Sequence, residues 1–90
     1  MIEKAYQLLK MNLGLTSEKR KPYFENLLLC SKEELEEKGI VLSEEKAEDI
    51  GLLHEYAAWK YRSRENEKGM SRMLQFRIRN RIIKGRAKRD

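Results

Sequence analysis

One stretch narrows the fold of this chain more than any other: Leu52-Leu53-His54-Glu55-Tyr56-Ala57-Ala58-Trp59-Lys60-Tyr61-Arg62. It holds the only Trp, the only His and two of the four Tyr. At helical spacing, Ala47, Ile50, Gly51, Leu53, His54, Ala57, Ala58 and Tyr61 fall within one arc. That is the wide apolar stripe of a helix that faces a core. Leu52, Tyr56 and Trp59, at i, i+4 and i+7, form a second stripe on nearly the opposite side. A helix with two apolar sides must bury both. The candidates for covering Leu52, Tyr56 and Trp59 are another helix of the same chain and a second subunit, because Trp and Tyr are favoured anchors of interfaces.

The other apolar residues fall into helical registers around this one. Ile2, Ala5, Tyr6, Leu9 and Leu13 read as a first helix, stopped by Asn12 and Gly14. Phe24, Leu27, Leu28, Ser31 and Leu35 form the buried side of a second, with Cys30 at its flank. Thr16 and Ser17 are cap candidates there, so the helix either starts near Thr16 and bends or takes Pro22 as its first residue. Gly39 fits the left-handed position after it, with Leu35 and Ile40 touching across the turn as a Schellman ending requires. Ser43 is the expected N-cap of the third helix, and Glu44 and Glu45 suit its positive end. Ser71 caps a fourth. The expected fold is all-α: a small bundle of four helices, about 2–13, 17–38, 44–67 and 71–85, around the long third one. Residues 1–85 make one helical domain and 86–90 a flexible, disordered basic tail.

The fourth helix also has two apolar sides, Met73, Phe76 and Ile83 on one and Leu74, Ile78 and Ile82 on the other. Ninety residues bury only roughly 60–65% of their unfolded surface, so a chain with this much unpaired apolar surface invites partners. Charge adds to the case. Residues 31–55 carry 3 Lys against 9 acids, a net of −6, and residues 70–90 carry 8 Lys/Arg against one Asp, a net of +7. Such blocks suit head-to-tail contact or an acidic partner. The outward-facing candidates are Arg72, Arg77, Arg79, Arg81, Lys84, Arg86, Lys88 and Arg89.

Chemistry is poorly represented. One Cys excludes an intrachain disulfide and a Cys-built zinc site. The Glu pairs at 33–34, 36–37 and 44–45 lack His or Asp at matching offsets and read as solvated helix faces. The single His points into the apolar stripe and reads as a packed histidine. The five glycines are isolated, so no phosphate loop exists. Lys4, Gln7 and Lys10 break the N-terminal apolar residues, so no signal peptide core is expected there, and no apolar run is long enough to span a membrane. No catalytic residue, metal or cofactor is expected.

Tyr56-Ala57-Ala58-Trp59-Lys60-Tyr61-Arg62-Ser63-Arg64, then Met70-Ser71-Arg72-Met73-Leu74, then Arg79-Asn80-Arg81, resembles the head-tail connector (adaptor) proteins of tailed bacteriophages and prophages, some of them labelled DNA-packaging proteins. That family often shows Tyr-Ala-Ala-Trp-x-Tyr-Arg-x-Arg, Met-Pro-Arg-Met-Leu and Asn-Asn-Arg. Here Ser71 stands for the Pro and Arg79 for the first Asn. Leu15-Thr16-Ser17 before a helix and the Gly39-Ile40 turn before an acidic helix match in outline, so the likeness runs over nearly the whole chain. It implies a non-enzymatic virion subunit at the head-tail junction, made in the host cytoplasm. It also implies a ring of about a dozen copies that docks under the portal protein, meets a tail-side connector protein and extends the DNA channel. The basic candidates would then face the portal or passing DNA, without reading sequence and in a salt-sensitive way. The alternative expectation is a small DNA-binding or packaging-regulating protein that uses the basic fourth helix. A helix-turn-helix fits poorly, because the third helix is too long and the fourth lacks a clean polar face.

Overall fold

A computed structural model describes residues 1–66 and 69–87, and for residues 65, 66 and 85–87 the backbone alone. The chain is all-α. Its four helices are α1 (Ile2–Leu13), α2 (Lys21–Glu37), α3 (Ala47–Asn66) and α4 (Arg72–Ala87). The ends of α1 and α2 follow from glycine. Gly14 adopts φ 67 and Gly39 φ 95, values that disfavour any residue with a Cβ. At Gly39 the Ile40 amide donates to the Leu35 carbonyl at 3.1 Å and the Gly39 amide to the Glu36 carbonyl at 2.9 Å. That is the expected Schellman pattern, and Leu35 and Ile40 are both buried beside it. Gly14 closes α1 in the same way, with the Leu15 amide 2.9 Å from the Lys10 carbonyl.

Helix starts depart more from expectation. α2 begins at Lys21 with Pro22 in its first turn, where the missing N–H costs nothing. Ser17 does not cap it; its hydroxyl accepts from the Lys19 amide two residues on, in a local turn. α3 begins at Ala47, three residues later than expected. Ser43 instead starts a separate turn, its hydroxyl accepting from the Glu45 amide at 3.3 Å. Asp49, in the first turn of α3, reaches back and accepts from the Ser43 amide at 2.8 Å. Asp49 thereby ties the Ser43 turn to the first turn of α3. α4 runs to Ala87, two residues into the expected tail, and the expected end of α3 at Glu67 lies outside the described residues.

α3 is the axis of the bundle: α1, α2 and α4 all pack on it, α1 and α2 also pack on each other, and among the described residues α4 touches no other helix. Ala5, Tyr6 and Leu9 of α1, Phe24, Leu28 and Leu35 of α2, and Ile50, Leu53 and Ala57 of α3 form one core with Ile40. Leu52 and Tyr56 belong to it too, only 1% and 5% exposed. Of the two candidate partners, their own chain is the one that covers Leu52 and Tyr56. Trp59 is only partly buried, its ring 5.4 Å from that of Tyr56. Cys30 is exposed rather than tucked against the core.

The outer helix buries Leu74 and Ile78 against α3. Its other apolar side is left in solvent, with Met73 73%, Phe76 62% and Ile83 57% exposed. The molecule measures 46 × 29 × 18 Å, an elongated shape consistent with one helix held along a single neighbour.

Candidate functional site

The outer face of α4 is the most unusual surface of the molecule. Met73, Phe76, Asn80 and Ile83 follow one another at helical spacing, and all four are exposed. Arg72 and Arg79 line one border of this stripe and Lys84 the other, given the angular positions on a helix. All three cations are exposed, as expected, and make no ion pair among the described residues. An apolar strip of this kind, rimmed by charge, is the anatomy of a protein contact.

Two of the candidate cations, Arg77 and Arg81, are engaged within the chain. Arg77 pairs with Glu55 of α3. Arg81 pairs with Asp49 through Nη1, and its Nη2 donates to the Val41 carbonyl at 3.0 Å. These side chains project from the edge of the buried side of α4, so the helix docks on α3 through two ion pairs beside the Leu74–Ile78 contact. The backbone around Arg86 is helical, and Lys88 and Arg89 lie outside the described residues.

Asp49 is the hub of this attachment. Its side chain is 2% exposed and bonded at once to Arg81 and to the Ser43 amide. Burial alone would raise its carboxyl. The Arg81 and Ser43 hydrogen bonds outweigh that, and the net effect holds the carboxyl below the ordinary aspartate range.

Beside the stripe, Trp59, Leu74 and Met73 line an open cleft of about 370 Å³, with Asn12, Arg62 and Glu55 at its margins. Its charges are already committed. Arg62 donates to the Asn12 side-chain oxygen at 2.6 Å and to its carbonyl at 3.3 Å, and Glu55 holds Arg77. The Asn12 amide nitrogen then faces Nε2 of His54 at 3.3 Å. With Arg62 fixing the orientation of that amide, Nε2 must accept, so the ring is neutral with its proton on the buried Nδ1. Burial accordingly pushes the His54 pKa below its usual value. Because the folded pKa is the lower one, the unfolded chain binds more protons in the interval beneath about 6.5, and stability there falls as pH falls. The melting temperature should therefore drop between about pH 7.5 and about pH 5.5, above the carboxylate range. A His54→Gln chain should be flat over the same interval, and an equal drop in both would exclude this histidine as the cause.

The segment Tyr56 to Arg64 is occupied along its length by fold contacts. Tyr56, Ala57 and Ala58 are core, and Trp59 floors the cleft. Lys60 bonds Glu34 of α2, Tyr61 bonds Arg20, Arg62 bonds Asn12 of α1, and Arg64 donates to Tyr23 of α2 at 2.6 Å. The motif thus acts as a set of fasteners joining α3 to α1 and α2. Sequence reasoning missed the two tyrosines, Tyr23 and Tyr61, gathered around Arg20 and Arg64, and it missed Val41, which is 80% exposed. The cross pairs Arg20–Tyr61 and Arg64–Tyr23 span 41 residues of chain, beyond any local pattern. Among the described residues, no three His, Cys, Asp or Glu side chains gather closely enough to hold a metal, and no helix is long and apolar enough to cross a membrane. No family model, no curated protein and no solved structure matches this chain.

Proposed function

We propose that this chain is a structural subunit of the head-tail connector of a tailed bacteriophage, a ring piece that docks beneath the portal and extends the DNA channel toward the tail. The observation that carries the reading is the bare apolar face of α4. Three large side chains at helical spacing stay in water on α4, while Leu74 and Ile78 on the other side of the same helix are covered. A free-standing monomer gains nothing from them, whereas a subunit with neighbours buries them. The likeness of residues 56–64, 70–74 and 79–81 to the connector family supplies the biological setting. Heterologous contact around a closed ring explains why one face can be apolar without being self-complementary.

On this reading the cations beside the bare face serve the contact. Arg72, Arg79 and Lys84 rim the exposed stripe, while Arg77 and Arg81 anchor α4 to α3. With those two arginines engaged internally and an apolar strip along the outer surface, α4 has little polar face for base edges. That favours the structural subunit over the DNA-binding regulator. The test is co-purification with a portal protein of a tailed phage: the full chain should join the portal ring in many copies per ring. Failure to bind any portal, together with tight binding to one particular DNA sequence, would replace this reading with the regulator.

A further inference from the structure

A second surface, distinct from the α4 stripe, lies where the start of α2 meets the end of α3. The Arg20 guanidinium sits 5.4 Å from the ring centre of Tyr23, 5.2 Å from that of Phe24 and 5.7 Å from that of Tyr61. Its Nη1 donates to the Tyr61 hydroxyl at 3.3 Å. Arg64 sits 4.8 Å from the Tyr61 ring centre and 5.5 Å from that of Tyr23. Two guanidinium groups are therefore held on the same pair of tyrosine rings, which lie 6.4 Å apart. Lys19, Arg20, Tyr23 and Arg64 are all exposed.

Some cations of the molecule are held in ion pairs and others, Arg72, Arg79 and Lys84 among them, are not, among the described residues. Lys10, Lys21, Lys60, Arg77 and Arg81 each pair with a carboxylate. Lys19 and Arg20 have no carboxylate partner among the described residues. The first turn of α2 contains no acid either, although the positive end of a helix dipole favours one. Lys19 and Arg20 are thus exposed and outside any ion pair among the described residues, and aromatic rings fix the geometry of Arg20.

We propose that the Lys19–Arg20–Tyr23–Tyr61 cluster is a docking surface for the phosphate backbone of double-stranded DNA. The sign of the charge selects a polyanion. A guanidinium is suited to two-pronged hydrogen bonding with phosphate oxygens, and one already immobilised on rings loses less freedom when it binds. The tyrosine rings carry guanidinium groups against them, which hinders stacking with unpaired bases, so the chemistry favours duplex over single strand. Nothing in the cluster presents base-edge readout, so binding is sequence-blind. Little apolar surface is exposed here beyond Tyr23, in contrast to α4, and this favours DNA over a protein partner. The inference holds whether or not the chain is a connector subunit.

The test is fluorescence anisotropy of the full-length chain with a labelled random-sequence duplex, between about 50 and about 200 mM salt. Two variants remove equal charge: Lys19→Gln with Arg20→Gln, and Arg72→Gln with Arg79→Gln. The first should reduce the slope of log affinity against log salt by about 1.8, at about 0.9 per phosphate contact, and the second should change it far less. Because Arg20 also staples α2 to α3, Lys19→Gln alone gives a second reading; its side chain makes no hydrogen bond or ion pair among the described residues, and its loss should lower the slope by about 0.9. Equal losses for the two double variants, or no duplex binding at the lowest salt, would overturn the proposal. So would a polyglutamate probe that binds as tightly as the duplex and is lost with the same residues, which would make the cluster a dock for an acidic protein.

Discussion

A chain carrying Met73→Gln, Phe76→Gln and Ile83→Gln together should melt within a few degrees of the unaltered protein yet fail to enter an assembly. The three side chains are more than half exposed in the isolated chain. Replacing them removes little from the core, and each such surface change costs within about 0.5 kcal/mol of fold stability. At an interface the same residues behave differently. A buried aromatic anchor is worth about 2 kcal/mol or more when truncated, and two aliphatic neighbours add to it. A combined loss of about 4 kcal/mol weakens binding by about a thousandfold. Circular dichroism melts and co-sedimentation with portal protein read the two halves of this expectation. The comparison that gives it force is Leu74→Gln with Ile78→Gln on the buried side of the same helix. Those residues are 6% and 7% exposed, and their replacement should loosen α4 from α3 and lower stability directly. Should both sets unfold the chain alike, α4 would have no free face.

Arg81→Ala should cost about 3 kcal/mol, the lower part of the range for breaking a buried ion pair. The loss is large because of what remains. Asp49, 2% exposed, keeps its Ser43 amide bond but loses the cation that outweighs its desolvation. The Val41 carbonyl loses a donor as well. Asp49→Ala should cost less, since the surviving Arg81 guanidinium is 19% exposed and can reach water. The double variant should recover part of the loss, with a coupling energy above about 1 kcal/mol, as for residues in one network. Urea unfolding of the four chains gives these numbers. Amide exchange should show α4 opening before α1, α2 and α3, because α3 is the only helix it rests on. The acid response has a definite sign. The Asp49 carboxyl lies lower in the folded chain than unfolded, so its stabilisation is present above about pH 4 and is lost as pH falls through the folded value. A coupling near zero would make this pair incidental to the docking of α4.

Helix number, order and type were legible in the sequence because they depend on local periodicity and on glycine. Gly39 with Leu35 and Ile40 illustrates this, since residues within one turn contain the whole Schellman signal. Pro22 was legible only as a choice of two starts, and the fold takes the later one. Ser43 looked like a cap because the residue type is right. The helix starts later, at Ala47, and Asp49 in its first turn holds both the Ser43 amide and Arg81, a partner 32 residues away along the chain. Arginine direction was the largest misreading. Nothing near Arg77 or Arg81 in the sequence reveals that Glu55 and Asp49 will lie opposite them, because that follows from how α4 docks. The same limit applies to Leu52 and Tyr56, whose stripe was evident while its covering partner was not. On α4 two apolar sides were visible, and only packing shows that Leu74 and Ile78 go in while Met73, Phe76 and Ile83 stay out.

Hydroxyl-radical footprinting with mass spectrometry tests the central claim most directly, by comparing oxidation of Met73 and Phe76 in the free chain and in the complex with portal protein. Both residues should be modified readily in the free chain and be strongly protected in the complex. Equal oxidation in the two states would mean that the outer face of α4 stays in water when the protein is at work, which contradicts the account.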